Sequence, residues 1–537
     1  MKLEQVQVEN TNQLLQDYQN QQEAICRFFH FKNEQSAFEA RLQELKQHPI
    51  RRKELVSVMR QYMQKFATSE KIEQHLKELE QDAVAVVGGQ QAGLLTGPLY
   101  SVNKAISVLL LAKEQREQLG VPVVPIFWVA GEDHDLDEIN HTFYAAGNRL
   151  LKHTYVEEGR VKTMASATKL RLDEVEKWIK QLFKQFGETA YTKELLAYVL
   201  EVAQTSHTYT DFFVKLMNDL FKEQGLLYLD AADPALRQYE APYFKRLIEH
   251  AAEIATVVTK RERDLEEAGY GSPIGATENA ANLFYVRDGE RYLLTRHDGY
   301  FMNQSANVRF TKEQLMQLVD EEVCLSNNVV TRPMMQEMVL PVLSFVGGAG
   351  ELAYWATLKD GFEVLGLRVP IFTPRMNFTY VTRETASNLE LIGLTAKEAI
   401  EGGISSKKEA FDAKVYDREA KEAIERAKRL LAEQYEIIQR HIEEHDLHVE
   451  RVVKKNLAFH KEQFDFLMKQ IEKDVRLKHD VAYRRFEQVE QELLPMGGFQ
   501  ERVYTPFPYL NQYGKLFIRD LFTLSLKTSK LHQIIYL

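Results

Sequence analysis

An apolar, β-branched run that opens into a glycine-rich loop and then a helix constrains this chain more than any other feature. The run is Ala83–Val87, and the loop reads V-V-G-G-Q-Q-A-G-L-L-T-G-P-L-Y over 86–100. A helix-period pattern starts at Pro98. A second apolar run, Val123–Ala130, then ends in F-W-V-A-G-E-D-H-D-L-D-E-I-N over 127–140. Strand, loop, helix, strand, loop is a right-handed βαβ unit. It predicts parallel strands with both polar loops at their carboxyl ends, the edge where open α/β sheets bind ligands.

The first loop has the chemistry of a binding turn. Gly88 and Gly89 permit a sharp turn, and Gly93 and Gly97 permit close backbone approach to a ligand. Pro98 suits a first helical position, and the helix start it marks is favourable for an anion. Gln90, Gln91 and Tyr100 supply neutral polar groups. Lys104, about two turns into the helix, is placed to reach back toward a phosphate or carboxylate. The loop lacks the Gly-Lys-Ser/Thr ending of a Walker motif and the G-x-G-x-x-G spacing. A turn that merely packs is the alternative.

The second loop crowds Glu132, Asp133, His134, Asp135, Asp137 and Glu138 into seven residues, with Asn140 just beyond. Three readings stay open. His134 flanked by carboxylates suits general acid/base work, the carboxylates orienting the ring and raising its pKa. The same side chains suit a divalent metal, although no H-E-x-x-H or Cys/His pattern accompanies them, and no metal is assigned. Asp135 is also a plausible N-cap for a helix starting near Leu136, with Asp137 and Glu138 in its first turn.

A second βαβ half is expected over 326–384: an apolar run Met338–Val346, a Gly347-Gly348 turn, a helix from Glu351, and a run Val369–Thr373. Gly350 clears further space, Tyr354 and Trp355 offer a stacking surface, and Arg375 is placed to clamp a carboxylate bidentately. Arg332 is a weaker version of the same idea, and surface ion pairs are the alternative for both arginines. Between the halves, 151–325 reads as connecting insertions, helical first and then strand-rich. There Asn282–Val286 and Arg291–Thr295 flank the hairpin signal Asp288-Gly289. The domains expected are 1–150 (N-terminal helices and first core half), 151–325 (insertions), 326–384 (second core half), 385–495 (helical coiled coil) and 496–537 (a return to the core).

The coiled-coil reading rests on 418–446 and 449–494, which lack Pro and Gly and carry apolar residues every three or four positions. As one helix the second arm spans about 69 Å at 1.5 Å per residue, too long for burial in a single core. Pairing with a second copy is the natural use of its stripe, and a self-contained arm is the alternative. His441, His445, His448 and His460 are spread along its polar faces and are not read as ligands.

Composition narrows the class. At 537 residues with net charge −10, the chain is multidomain and a poor general nucleic-acid binder. No run of eighteen apolar residues occurs, and Met1–Tyr18 lacks signal-peptide order, so a cytoplasmic protein without a membrane partner is expected. The two cysteines, Cys26 and Cys324, read as reduced and structural or incidental.

The two loops, together with N-L-F-Y (282–285), S-N-N-V-V-T-R-P (326–333), G-E-L-A-Y-W (350–355), P-R-M-N (374–377) and Y-L-N-Q-Y-G (509–514), resemble the cysteine-adding enzymes of bacillithiol biosynthesis. That cysteine ligase (BshC) family belongs to low-GC Gram-positive bacteria, and the likeness covers nearly the whole chain. The resemblance implies a Rossmann-type α/β core with insertions and a coiled-coil domain used to form a homodimer. It implies an amide-forming ligase for the last pathway step, with cysteine and glucosaminyl malate as substrates. The core of such enzymes resembles nucleotidyl transferases related to class I aminoacyl-tRNA synthetases, whose His-x-Gly-His motif holds ATP phosphates. Here Gln90-Gln91 stand in its place.

Within that expectation Glu132, Asp133, His134 and Asp135 are the catalytic candidates. Gln90, Gln91, Gly93, Gly97, Tyr100, Lys104, Asn140, Glu351, Tyr354, Trp355 and Arg375 are the substrate-binding candidates. ATP or ADP with Mg²⁺ is the cofactor candidate. Its sites are the two glycine-rich helix starts or a C-terminal segment where Arg502, Tyr504 and Asn511 combine a phosphate-binding cation, an aromatic face and an amide. A packed aromatic tail is the alternative for that segment. A metal-dependent hydrolase and a non-catalytic nucleotide-binding scaffold are the competing functions.

Overall fold

A computed structural model describes residues 1–8, 12–147, 149–156, 162–416 and 418–537. The chain divides into two units, residues 1–380 with 498–537 and residues 381–497. The boundaries expected from sequence, 384/385 and 495/496, lie within a few residues of these.

The first unit is built on a five-stranded parallel sheet. Its strands are β1 (Val84–Gln90), β2 (Val123–Val129), β3 (Leu227–Asp230), β4 (Val342–Gly347) and β5 (Ile371–Pro374), in the spatial order β5-β4-β1-β2-β3. The chain builds outward from β1 to β2 and β3 on one side, then returns to lay β4 and β5 on the other. The switch point therefore falls between β1 and β4, and a crevice is expected at their carboxyl ends. Val84 to Val87 and Val123 to Val129 are fully or almost fully buried, as a parallel sheet covered on both faces requires.

Helix α1 (Leu99–Leu119) follows β1 and lies so close that a Cβ on Gly88 would stand 2.6 Å from the Val108 side chain. Helix α2 (Pro234–Glu249) follows β3, capped by Asp233 with Pro234 in its first turn. Helices α3 (Thr331–Val339) and α4 (Ala349–Trp355) flank β4. A second, antiparallel five-stranded sheet over 280–327 contains the expected hairpin, with Asp288 and Gly289 both at positive φ. Strand Lys2–Val6 pairs antiparallel with His532–Tyr536, so the two ends of the chain meet.

Two sequence expectations need correcting here. The helical part of the 151–325 segment, expected to be a connecting insertion only, supplies the outer strand of the sheet, β3. That strand has only four residues, too short for periodicity to separate from a helix turn. The apolar run read as one strand from Met338 is the end of α3 followed by β4, because Leu340-Pro341 breaks it.

The second unit contains α5 (Arg418–Glu444), α6 (Glu450–Lys478) and α7 (Asp480–Leu493). The second arm is thus not one helix. It breaks at His479, whose φ/ψ of −110°/20° is not helical, and α6 alone spans about 44 Å. Among the described residues no helix is long and apolar enough to cross a membrane.

Candidate active site at the switch point

The loop after β1 folds back on itself before α1 begins. Leu95, Thr96 and Gly97 all have positive φ, and Gly97 at φ 67°, ψ −164° occupies a region closed to side chains. A Cβ on Gly93 would stand 2.7 Å from the Gly97 Cα. These glycines therefore allow the loop to approach itself, a correction to the expectation that they admit a ligand. They line only a small annex of about 40 Å³ beside the main cavity.

That cavity, about 350 Å³, opens at the carboxyl ends of β1 and β4 and falls within the range of small-molecule sites. Gln90, Gln91, Tyr100, Lys104, Asp133, Glu351, Tyr354, Trp355, Arg375 and Arg502 all contribute to its wall. So do Arg332, Gln336 and Trp128. The indole N–H groups of Trp128 and Trp355 are closed to solvent, and that of Trp355 lies against the Tyr354 side chain.

Lys104 is buried, and its ammonium donates to Gly89 O (2.7 Å), Gln90 Oε1 (3.0 Å) and Glu351 Oε2 (2.6 Å). Burial lowers its pKa against the pull of Glu351. All three of its donors thus meet protein oxygens instead of the phosphate expected from sequence. The helix starts are likewise satisfied from within. Leu99 N–H donates to Tyr504 O at 2.7 Å, and Gly348 N–H donates to the Glu351 carboxylate at 2.7 Å. One N–H at each turn, and the Lys104 ammonium between them, are therefore already held by protein oxygens.

The acidic loop is organised by arginines rather than by its histidine. Glu132 is completely buried, accepting from Arg332 Nε (2.8 Å), Arg237 Nη2 (3.1 Å) and Asn327 N–H (3.2 Å). Asp133 Oδ1 accepts from Arg332 Nη2 (2.6 Å) and Arg291 Nη1 (3.3 Å). Burial pushes the Asp133 pKa up, but Arg332 and Arg291 outweigh it and hold the carboxyl below its usual range. His134 lies edge-on to Phe284, with Arg291 Nη1 3.5 Å from its Nδ1. Burial, Arg291 and Lys162 lower its pKa, although Asp133 and Asp135 oppose them. The expected carboxylate-raised imidazole is therefore corrected: the ring is kept neutral.

The remaining predicted residues scatter. Glu132 is sealed behind Arg332 and reaches no ligand. Asp135 is exposed and makes no side-chain cap to the single 3₁₀ turn that replaces the expected helix. Asn140 is buried and donates to Asp137. Of the C-terminal set only Arg502 reaches the cavity. Tyr504 is buried, and Asn511 is buried with its amide on Gly187 O, so these three do not assemble a nucleotide pocket. Trp355 is buried against Phe345 (4.4 Å, stacked), Phe362 and Phe372, so its ring is part of the core and not the stacking surface expected from sequence. Arg375 is committed to the buried Glu501 at 2.7 Å, so a free bidentate clamp is not available on it.

Local sequence explains how Arg332 is aimed. Asn328 Oδ1 accepts from Val330 and Thr331 N–H groups, an Asx turn that starts α3. Asn282, at φ 57°, receives Asn328 Nδ2 (3.0 Å) and, through its carbonyl, the Thr331 hydroxyl (2.7 Å). Sequence reasoning missed Arg291 and Arg237. Each is a lone arginine in an insertion, and only the tertiary fold brings it to the acidic loop.

The N-terminal Rossmann-like domain of bacillithiol biosynthesis BshC matches residues 1–376, and the C-terminal coiled-coil domain of the same family matches residues 378–537. A relative from Lysinibacillus sphaericus (strain C3-41) is 48% identical over 538 residues, covering 100% of both chains. One from Bacillus licheniformis is 34% identical over 538 residues, again with 100% of both chains covered. One from Geobacillus thermodenitrificans (strain NG80-2) is 37% identical over 514 residues and 95% of both chains. All three carry the name "Putative cysteine ligase BshC". With both family domains matched end to end and full-length relatives at this identity, the chain belongs to the BshC cysteine ligase family of bacillithiol biosynthesis.

Proposed function

We propose that the switch-point cavity joins the carboxyl of L-cysteine to the glucosamine amine of glucosaminyl malate, the last step in forming bacillithiol. The observation that carries this reading is the charge pattern of the wall. Four cations, Lys104, Arg332, Arg375 and Arg502, line one cavity with two carboxylates, Asp133 and Glu351. Lys104 pairs with Glu351, Arg332 with Asp133 and Arg375 with the buried Glu501, which leaves the wall a net excess of positive charge around Asp133. A malyl group brings carboxylates and an amino sugar brings an ammonium, and this pattern is complementary to both.

In this reading Asp133 docks the substrate ammonium. Its lowered pKa makes it a good counter-ion and a poor base. The amine must shed a proton before its nitrogen attacks the cysteine carboxyl carbon. The proton is assigned through water to the neutral imidazole of His134, which follows Asp133 in the chain but does not itself line the cavity. As the new C–N bond forms, one C–O bond of the cysteine carboxyl breaks, and that oxygen leaves with the bonding pair and takes up the proton shed by the amine, so that a free carboxyl would release one water.

We infer that the coiled coil pairs two copies. Its helices leave Leu430, Ile437, Val452, Phe459, Phe466 and Leu467 exposed, apolar side chains that a second copy would cover. The reaction is tested by mass-spectrometric analysis of products from glucosaminyl malate and cysteine, with and without ATP and Mg²⁺. Bacillithiol in either mixture supports the reading; its absence from both, with intact substrates and folded protein, overturns it.

A further inference from the structure

We propose that His441, Glu444 and His445, at the end of α5, form a site for a divalent transition-metal ion. One ligand atom from each lies within 4.8 Å of the others, the only such group of ligand-type side chains among the described residues. A tetrahedral ion with 2.0–2.1 Å bonds needs its ligand atoms roughly 3.3 Å apart. All three side chains are exposed, so modest rotamer changes close that difference.

The backbone beneath the cluster is held in register. Asp446 has positive φ (56°), Asp446 N–H donates to Glu443 O and Leu447 N–H donates to Ile442 O at 3.0 Å. That pair of bonds is a Schellman stop, which makes His445 the last capping residue and fixes the i, i+4 spacing of the two imidazoles. The rings already face one another with centroids 4.1 Å apart. His445 Nδ1 lies 3.0 Å from His441 O, so it carries the proton and leaves Nε2 free to coordinate.

The donor set selects the ion. Two imidazoles and one carboxylate suit Zn²⁺, Co²⁺, Ni²⁺ or Cu²⁺, whereas Mg²⁺ and Ca²⁺ favour all-oxygen shells. The negative end of the helix dipole adds to the attraction. Three protein ligands leave a fourth position for water or a group from outside the arm. Since every ligand comes from one helical turn, the ion braces the tip of α5 instead of joining two helices.

Calorimetric titration of the full-length protein with ZnCl₂ at pH 7.5 tests this, with the visible absorption of Co²⁺ reporting coordination geometry. The wild type is expected to take up one equivalent per chain, with a Co²⁺ spectrum of low coordination number. His441→Ala and His445→Ala should each weaken uptake at least tenfold and abolish that spectrum. Glu444→Gln should weaken it less, and His460→Ala, outside the cluster, should leave it unchanged. These side chains are exposed, so metal-free melting curves of the variants should superpose on the wild type. Absence of stoichiometric Zn²⁺ uptake by the wild type, or equal uptake by His441→Ala and His445→Ala, overturns the proposal.

Discussion

The ammonium of Lys104 lies 2.6 Å from the carboxylate of Glu351. One sits on the helix that follows β1, the other on the helix that follows β4, so this pair crosses the switch point and ties the two halves of the sheet. The same Glu351 carboxylate caps Gly348 N–H, which couples the ion pair to the start of α4. Lys104→Met should therefore cost about 2–4 kcal/mol of stability, less than a fully buried pair because Glu351 retains some solvent contact. Adding Glu351→Gln should recover part of that loss, since it removes the stranded charge. Denaturant unfolding of the single and double variants measures both values, and equal stability of the single variant and wild type would contradict the role.

Glu132 and Asp133 are adjacent but should behave differently. Glu132→Gln leaves Arg237 and Arg332 short of a buried counter-charge and should destabilise the fold by about 3–5 kcal/mol. Asp133→Asn keeps Arg332 on Glu132, so it should fold normally and lose at least ~100-fold in product formation. Thermal melts and product yields from the two variants separate the roles, and a reversed pattern would exchange them.

His75 gives a test of pH dependence. Burial pushes its pKa down to about 4 from 6.5, with the Gly225 carbonyl opposing and Lys71 and Arg116 reinforcing. The unfolded chain takes up this proton below pH 6.5, whereas the native chain resists until about pH 4. The stabilising contribution of neutral His75 is thus present above pH 6.5 and lost on acidification through that window. His75→Gln should be destabilised at pH 7.5, and its deficit should shrink toward pH 5. A deficit that stays constant or grows in acid would show that the ring is not held neutral by the fold. Measuring the difference from wild type at each pH isolates this group from Asp230 and Glu337, whose burial-raised pKa values act in the opposite direction.

Leu467 is exposed and Ile471 half-buried on α6. If a second copy covers this stripe, Leu467→Glu with Ile471→Glu should shift the light-scattering mass from dimer to monomer while helix content persists. An unchanged dimer would place the interface elsewhere.

Much of this fold is legible in the sequence because parallel strands buried on both faces read as continuous β-branched runs, as Val84–Val87 and Val123–Val129 do. Glycine loops mark their carboxyl ends. The four-residue β3 and the break at His479 escape the reading, one because it is shorter than any period, the other because no Pro or Gly signals it. Site residues split along the same line. Those on the two loops or the helix that follows the first, such as Gln90, Lys104 and Asp133, are found from local pattern. Arg291 is invisible to it because its contacts with Asp133 and His134 bridge more than 150 residues. Local pattern also misassigns partners: Lys104, Arg375 and Glu132 have the chemistry of ligand contacts, yet each is taken by a protein group that arrives from a distant segment.

The central claim is that the switch-point cavity is where cysteine is joined to the sugar amine. The most direct measurement is bacillithiol content in a host lacking its own copy of the gene, complemented with wild type or Asp133→Asn at matched protein abundance. The wild type should restore the thiol, while Asp133→Asn should leave it near the level of the deletion strain with glucosaminyl malate accumulating. Wild-type bacillithiol in the Asp133→Asn strain would contradict the account.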